Sequence, residues 1–492
     1  TRRYAGNDSG PRGVAGVVLI TARLVISHRN ARLPLVVVRA DAVGQVPIHH
    51  EGTRHVGHPR SAVDTGDPMT RLLTASQAEA AATRAAGALR RRGLSAGDRV
   101  AVVTPEYEPA AADAQADVLA VVWAALRLGI VPVMVHPLLT ERERRHILVD
   151  AEVSGSLIDG PAAAALTAAD SGGELPPQLA ARVMHYTSGT TGVPKGVWAD
   201  ISAGEAAAWW QDEVGHWGFT SDDVTLVHSP LCHSAPLRFA IGTLSVGGSV
   251  ALAGRFSPTS IASALTEVRP TTAFTAPSQL QQLLDLGLPP SPYRLLAHAG
   301  SACPPAVKAR THTWAGAERT WEFYGSTEGQ FTSCRGTEWE ERPGTVGRAR
   351  AGRTLSTDEQ GHVWCVPPEF ARFQYWRDPE KTATAWRPTG AGQAFTVGDV
   401  GRLDDDGYLY LDGRREDLII SGGVNVYPAE VEAIISALPG VIDIVVYPRP
   451  DPHWGQRVVA AVVGDVTETD LTNWCADRLA PFKRPKQWHL VA

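Results

Sequence analysis

Hydroxyls, glycines and a single lysine crowd into the stretch Tyr186-Thr187-Ser188-Gly189-Thr190-Thr191-Gly192-Val193-Pro194-Lys195-Gly196-Val197. A loop that wraps a polyphosphate needs those groups. Glycine lets backbone N–H groups approach an anion, and Ser and Thr hydroxyls add further donors. Lys195 supplies a mobile point charge. The spacing departs from the Walker pattern because Gly196, not Ser or Thr, follows the lysine. A Ser/Thr/Gly-rich stretch taken alone also fits a solvated turn.

Four other segments carry residues suited to chemistry. In Tyr324-Gly325-Ser326-Thr327-Glu328-Gly329, the glutamate reads either as a loop acid or as a Mg²⁺ ligand. Magnesium takes one or two carboxylates plus phosphate oxygens, so a lone Glu328 suffices. Phe395-Thr396-Val397-Gly398-Asp399 ends on an acid that can accept hydrogen bonds from hydroxyls. Asp412-Gly413-Arg414-Arg415-Glu416-Asp417 runs on through Leu418-Ile419-Ile420 to Ser421-Gly422-Gly423-Val424-Asn425, where the glycine pair reads as a bulge or turn. Pro230-Leu231-Cys232-His233-Ser234-Ala235-Pro236-Leu237 contains a lone histidine, which in isolation reads as structural. Its neighbour Cys232 does not make a nucleophile pair with it, since adjacent side chains seldom face each other correctly.

Elements of alternating type must position these groups. Helical patterns at 74–89, 118–128, 238–246, 261–268 and 278–284 alternate with short apolar strands at 99–103, 130–135, 222–228, 249–252 and 272–275. That alternation predicts βαβ units and a largely parallel sheet. Residues 154–180, rich in Ala, Gly and Pro, read as a loop with a weak helix at best. Asp404-Asp405-Asp406-Gly407 reads as a solvated turn rather than a metal site. After Arg414 the pattern becomes α+β, with helices at 428–437 and 471–479 and strands at 442–447 and 458–463. The fold class is therefore α/β: a large domain of mixed, mostly parallel sheets flanked by helices over 69–413, and a small hinged α+β domain over 414–492.

Residues 1–68 look unlike the rest and read as a non-matching extension. His49, His50, His55 and His58 fit no standard metal-ligand spacing. The chain of 492 residues has room for two or three domains. A net charge of −6 without a basic stripe argues against nucleic acid. No apolar run is long enough for a membrane span. Five scattered cysteines suit a reducing compartment, and the expected location is cytoplasmic.

Together, from about residue 70 onward, the five motifs resemble the adenylate-forming superfamily of acyl-CoA synthetases, peptide-synthetase adenylation domains and luciferases. The resemblance implies ATP, Mg²⁺ and CoA as partners of the reaction. It implies phosphate contacts from Thr187, Ser188, Gly189, Thr190, Thr191, Gly192 and Lys195. It sets Tyr324 against adenine, with Gly300, Ser301, Gly325 and Ser326 around the nucleotide. It places Thr327 on phosphate, Glu328 on Mg²⁺, Asp399 on ribose and Arg414 on the nucleotide. Val397 stands where the family usually has threonine. Glu416 falls at the hinge, where Asp or Lys is usual. His233 matches the gate between acid pocket and thiol tunnel. Ser421, Gly422 and Gly423 line that tunnel in the family's second pose, and Trp454, Arg484 and Lys486 form the CoA surface.

Glu338-Trp339 and Ser301-Ala302-Cys303-Pro304 look most like fatty-acid and alicyclic-acid CoA ligases. The acid pocket is expected near residues 228–235, 276–279, 299–303 and 325. These are mostly small or apolar, with no evident counter-charge, so a hydrophobic carboxylic acid is expected. The family pattern continues past Phe482–Lys486 to a glycine-lysine pair that this sequence does not reach at Ala492. The expectation is slow acyl-AMP formation by the chain as written. The function implied is an ATP-dependent acid–CoA ligase. Its alternatives are a stand-alone adenylating enzyme that uses an acyl carrier protein or another acceptor, and a degenerate nucleotide-binding protein.

Overall fold

The computed structural model describes residues 70–105, 111–155, 157–170, 172–187, 194–413 and 418–491. The histidines at 49–58, the loop residues Ser188–Gly192, and Arg414 and Glu416 lie outside them.

Two mixed sheets form the large part. In the ten-stranded sheet, Ser249–Leu252, Val224–Val227, Thr272–Thr275, Leu295–His298 and Thr320–Gly325 lie side by side and parallel. Their buried residues run continuously, as strands covered on both faces require. From Thr320 onward the chain returns in hairpins, and Gln330–Arg335, Thr345–Ala349, Tyr408–Gly413 and Val400–Leu403 extend the sheet antiparallel. In the five-stranded sheet Arg99–Val103, Val131–Val135 and Met184–Thr187 are parallel. Lys195–Trp198 and Gln374–Tyr375 complete it antiparallel. Parallel pairing thus holds within the inner βαβ units, and hairpins supply the rest. A four-stranded antiparallel sheet runs from Thr354–Thr357 to Trp386–Thr389.

Helices start where capping residues satisfy their first N–H groups. Thr74 opens Ala75–Arg91, Thr140 opens Glu141–Asp150 and Ser202 opens Ala203–Trp217, each with a capping box. The region read as a loop at 154–180 contains one helix, Gly160–Thr167. Asp159 caps it and Pro161 sits in its first turn. The acidic turn at 404–407 is a turn, as read: Asp404 accepts from the amides of Asp406 and Tyr408, and Arg342 pairs with Asp406 at 2.6 Å.

The C-terminal part is α+β. A long hairpin, Val441–Asp451 with Gly455–Gly464, is flanked by Ile419–Ser421 and by Gln487–Val491, and two helices, Pro428–Ile435 and Glu468–Ala476, cover it. Val431, Ile435, Val446, Val458, Leu471 and Cys475 form its own core. No helix among the described residues is long and apolar enough to cross a membrane.

Candidate active site

Thr187 pairs with Lys195 across neighbouring antiparallel strands, so the two ends of the hydroxyl-rich loop meet at a hairpin neck. The Lys195 ammonium binds Asp378, the cap of helix Pro379–Ala385. That contact, with the Lys381 amide, holds the Asp378 carboxyl below the ordinary carboxylate range. Four residues before Asp378, strand Gln374–Tyr375 docks on Val197 and Trp198. Tyr375 then donates its hydroxyl to Glu328 Oε1 at 2.9 Å. One short strand therefore fixes Lys195 through Asp378 and Glu328 through Tyr375.

Glu328 itself rides the turn of the Thr320–Gly325 and Gln330–Arg335 hairpin, closed by Ser326 N donating to Gly329 O at 2.9 Å. Thr327 shares that turn. Tyr324 stacks beside Phe331, with ring centroids 4.8 Å apart, and donates to Asp399 Oδ2 at 2.5 Å. Both partners are buried. The turn offers oxygen donors and one buried carboxylate, which fits a hard cation such as Mg²⁺.

Gly300 follows strand Leu295–His298 with φ +95°, a conformation only glycine adopts freely. Against it lies the Gly422-Gly423 turn of the C-terminal part. A Cβ on Gly300 would stand 4.0 Å from Gly423 O, and one on Gly423 would stand 3.5 Å from Ala276 Cβ. Gly422 has φ +61°, donates its N–H to Trp454 O at 2.8 Å, and has the Trp454 ring within 2.7 Å of where a Cβ would be. Ser421 is buried beside it, paired with Gly455.

Behind this turn, Lys483 crosses the seam to the large part. Its buried ammonium meets Glu143 at 2.9 Å and Glu430 at 2.6 Å. Phe482 packs against His136 at a tilt of 58°, ring centroids 5.0 Å apart, and His136 in turn neighbours His233 at 5.6 Å. Burial lowers His233 to about 4 and His136 to about 3, so both rings are neutral near pH 7. Donor atoms of His136, Cys232 and His233 lie within 4.8 Å of one another.

The sequence matches the AMP-binding enzyme family over residues 54–362 and the AMP-binding enzyme C-terminal domain over residues 430–492. The chain belongs to the AMP-binding enzyme family. Its activity class is acid activation by adenylate formation, close to the acyl-CoA ligase and succinylbenzoate–CoA ligase branch. An uncharacterized acyl–CoA ligase of Bacillus subtilis is 28% identical over 62% of this chain and 63% of its own length. A feruloyl-CoA synthase of Amycolatopsis is 32% identical over 84% of this chain and 89% of its own. The structure of a mutant o-succinylbenzoate CoA synthetase from Bacillus subtilis, bound with a product analogue, superposes with a TM-score of 0.74. It is 25% identical, covering 85% of this chain and 89% of that one.

In this AMP-binding enzyme the residues read from sequence are brought together in pairs: Thr327 and Glu328 line one cavity, Tyr324 bonds Asp399, Thr187 pairs with Lys195, and Gly423, preceded by Ser421 and Gly422, faces Gly300. Arg484 and Lys486 are turned elsewhere. Arg484 donates to the carbonyls of Leu479 and Ala476 at 2.7 and 2.6 Å, closing the end of helix Glu468–Ala476, where a cation complements the helix dipole. Lys486 donates to Pro481 O at 2.6 Å. Trp454 stays 43% exposed beside the glycine turn.

Of the segments expected to line an acid pocket, Ala235 and Ala299 pack with Trp217, Phe239, Phe274 and Phe323 in a buried apolar core. Sequence reading missed Asp378, Tyr375, Lys483 and a cavity lined by Arg182, Arg238, Arg350 and Arg353 with Glu213, which opens beside Thr327 and Glu328. The alternation Arg348-Ala349-Arg350 in a strand, and Trp209-Trp210 beside Asp212-Glu213 on a helix, were the available signals.

Proposed function

We propose that this chain is an ATP-dependent acid–CoA ligase acting on a carboxylic acid with a hydrophobic body. The observation that carries the reading is the Gly422-Gly423 turn seated on Gly300 and Ala276. A thiol acceptor on a narrow pantetheine-like arm needs close backbone approach beside the acyl-adenylate, and glycine at both 300 and 423, with Gly423 O 4.0 Å from where a Gly300 Cβ would stand, supports such an approach.

The acid's carboxylate oxygen attacks the α-phosphorus of ATP, and the bond to the bridging oxygen breaks to release pyrophosphate. The acceptor sulfur then attacks the acyl carbonyl carbon, AMP leaves with the oxygen it shared, and the thiol proton passes to solvent. Lys195 and Thr187 hold the phosphates, with Asp378 keeping Lys195 in place. Glu328, oriented by Tyr375, is the residue that would hold Mg²⁺, which when bound neutralises phosphate charge. Asp399 accepts from the ribose hydroxyls while Tyr324 flanks the base. His233, neutral near pH 7, acts as a movable wall rather than a cation. Positioning and charge stabilisation do most of the work in such a transfer.

The test is pyrophosphate release with a carboxylic-acid panel, followed by CoA-dependent AMP release. Lys195→Ala and Glu328→Ala are each expected to slow pyrophosphate release by about 10²-fold or more, the scale of a lost preorganised charge contact. Pyrophosphate release near the wild-type rate in both variants would refute the site. AMP release indifferent to CoA would remove the thioester step alone.

A further inference from the structure

We propose that the cavity between helices Ala203–Trp217 and Ser234–Ser245, floored by strands Met184–Thr187 and Gln330–Arg335, is a binding site for an oxyanion of the carboxylate or phosphate type. Four guanidiniums converge there, from Arg182, Arg238, Arg350 and Arg353, against three carboxylates, those of Glu213 and Asp212 and that of Glu328 in the lining. Three of the four cations are matched. Arg238 meets Glu213 at 2.9 Å, Arg350 meets Glu213 at 2.9 Å and Asp212 at 2.8 Å, and Arg353 meets Asp212 at 2.9 Å.

Arg182 is the fourth. It lies over the Trp209 ring at 4.7 Å and donates to the carbonyls of Phe370 and Arg372 at 3.4 and 3.0 Å. Neutral carbonyls do not balance its charge. Burial, then Arg238 and Arg353, lowers Arg182 to about 9, so it stays charged near pH 7 and the cavity keeps an excess of positive charge. His185, at the same wall, is neutral there, held to about 3 chiefly by burial.

A network evolved only to tie helices to strands would close on itself, because buried donors are costly to leave unmade. This one does not close. Arg350 Nε and Gln330 Nε2 are buried and have no acceptor among the described residues. An oxyanion accepts several N–H donors in a fork and matches the missing charge. Because Thr327 and Glu328 line the same cavity, the anion has two sources. One is a second acidic group at the far end of the acid. The other is free phosphate or pyrophosphate. The site concerns the large domain alone and does not depend on the thiol-acceptor reading.

Gln330→Glu is the decisive variant. Gln330 already accepts from Arg350, and the isosteric carboxylate places an anion among the guanidiniums without changing shape. Arg182→Gln is the second variant, removing the unmatched cation. Binding is read by calorimetry on the full chain without ATP or Mg²⁺, using inorganic phosphate, pyrophosphate, suberate and octanoate. We expect saturable binding of at least one dianion that weakens about tenfold or more in both variants, the scale of a lost charge-assisted contact, while Gln330→Glu melts no lower than wild type. A variant-sensitive component for phosphate or pyrophosphate assigns the free anion. One for suberate and not octanoate assigns the far end of the acid. If no anion shows a component that both variants weaken, the proposal is wrong, whatever the enzyme's activity.

Discussion

Arg350 and Lys483 are both buried cations set between two carboxylates, Asp212 with Glu213 and Glu143 with Glu430. Their surroundings differ in sign. Around Arg350 stand Arg182, Arg238 and Arg353, so cations outnumber carboxylates. Around Lys483 one cation faces two carboxylates, and Glu430 Oε2 has no hydrogen-bond partner among the described residues. Burial pushes Glu430 up, an effect Lys483 opposes and Glu143 reinforces. For Glu213, burial works upward, but Arg238 and Arg350 outweigh it and hold the group down to about 2. The first cluster lies wholly within the large part, so separating the C-terminal part from it leaves its ion pairs in place. The second spans a seam, and separating the two parts would return its surplus carboxylate to water. Similar chemistry thus makes a fixture in one place and a releasable latch in the other.

The strongest way to break that contrast is Glu213→Ala. It strands Arg238 and Arg350 and also removes the acceptor of Trp217 Nε1 at 2.8 Å. Breaking a buried pair costs about 3–5 kcal/mol, so denaturant unfolding should show a loss of that size. Lys483→Met should cost less stability, because the latch can open. It should instead slow the thioester half-reaction by about tenfold or more, tenfold being about 1.4 kcal/mol, with pyrophosphate release unchanged. Equal losses in both half-reactions would show that Lys483 is a fixture too.

Acid sharpens the comparison further. His136, His185, His228, His233 and His298 are held to between about 3 and about 4, mainly by burial. The unfolded chain takes up protons near 6.5 where the folded one does not, so stability falls as pH drops from above 6.5 toward about 4. Glu213's contribution, present above the ordinary carboxylate value of 4.5, is lost only as pH falls toward about 2. Lys483 is different again: burial lowers it, but Glu430 and Glu143 raise it above 10.5. Its contribution is present below 10.5 and lost as pH rises through the folded value. Melting curves across pH should therefore show an early acid decline set by histidines in wild type and Glu213→Ala alike. The smallest effect is expected from Arg484→Ala, about 1 kcal/mol in the C-terminal part from two lost helix-end contacts, with unchanged CoA dependence. A raised KM for CoA instead would return Arg484 to the acceptor surface.

Much of this was legible in the chain. The short apolar runs at 99–103, 249–252 and 272–275 coincide with strands, because a strand covered on both faces leaves no ambiguity of face. Helix Gly160–Thr167 was legible only as a weak helix without bounds, since its Gly, Pro and Ala lack an amphipathic period and its start depends on the Asp159 cap. Tyr324, Thr327, Glu328 and Asp399 were readable as motif residues. Tyr375 and Asp378, which hold Glu328 and Lys195, were not, because a tyrosine on a two-residue strand carries no local sign of its partner. The arginine cavity is assembled from segments at 182, 213, 238 and 350 that only the packing of two sheets brings together.

On the thioester reading proposed above, Gly300, Gly422 and Gly423, bounded by Ala276 and Trp454, would make selectivity at that point a matter of bore rather than of recognition, and one methyl is the smallest possible calibration step. Gly423, which has ordinary contact room toward Ala276, is the position where such a step fits most easily, although its φ of +81° resists it. Gly422 has none, because Trp454 already fills the space. A family of acceptors graded by thickness, passed through single-methyl variants at these positions, would measure the aperture of the seam as a sieve measures grain.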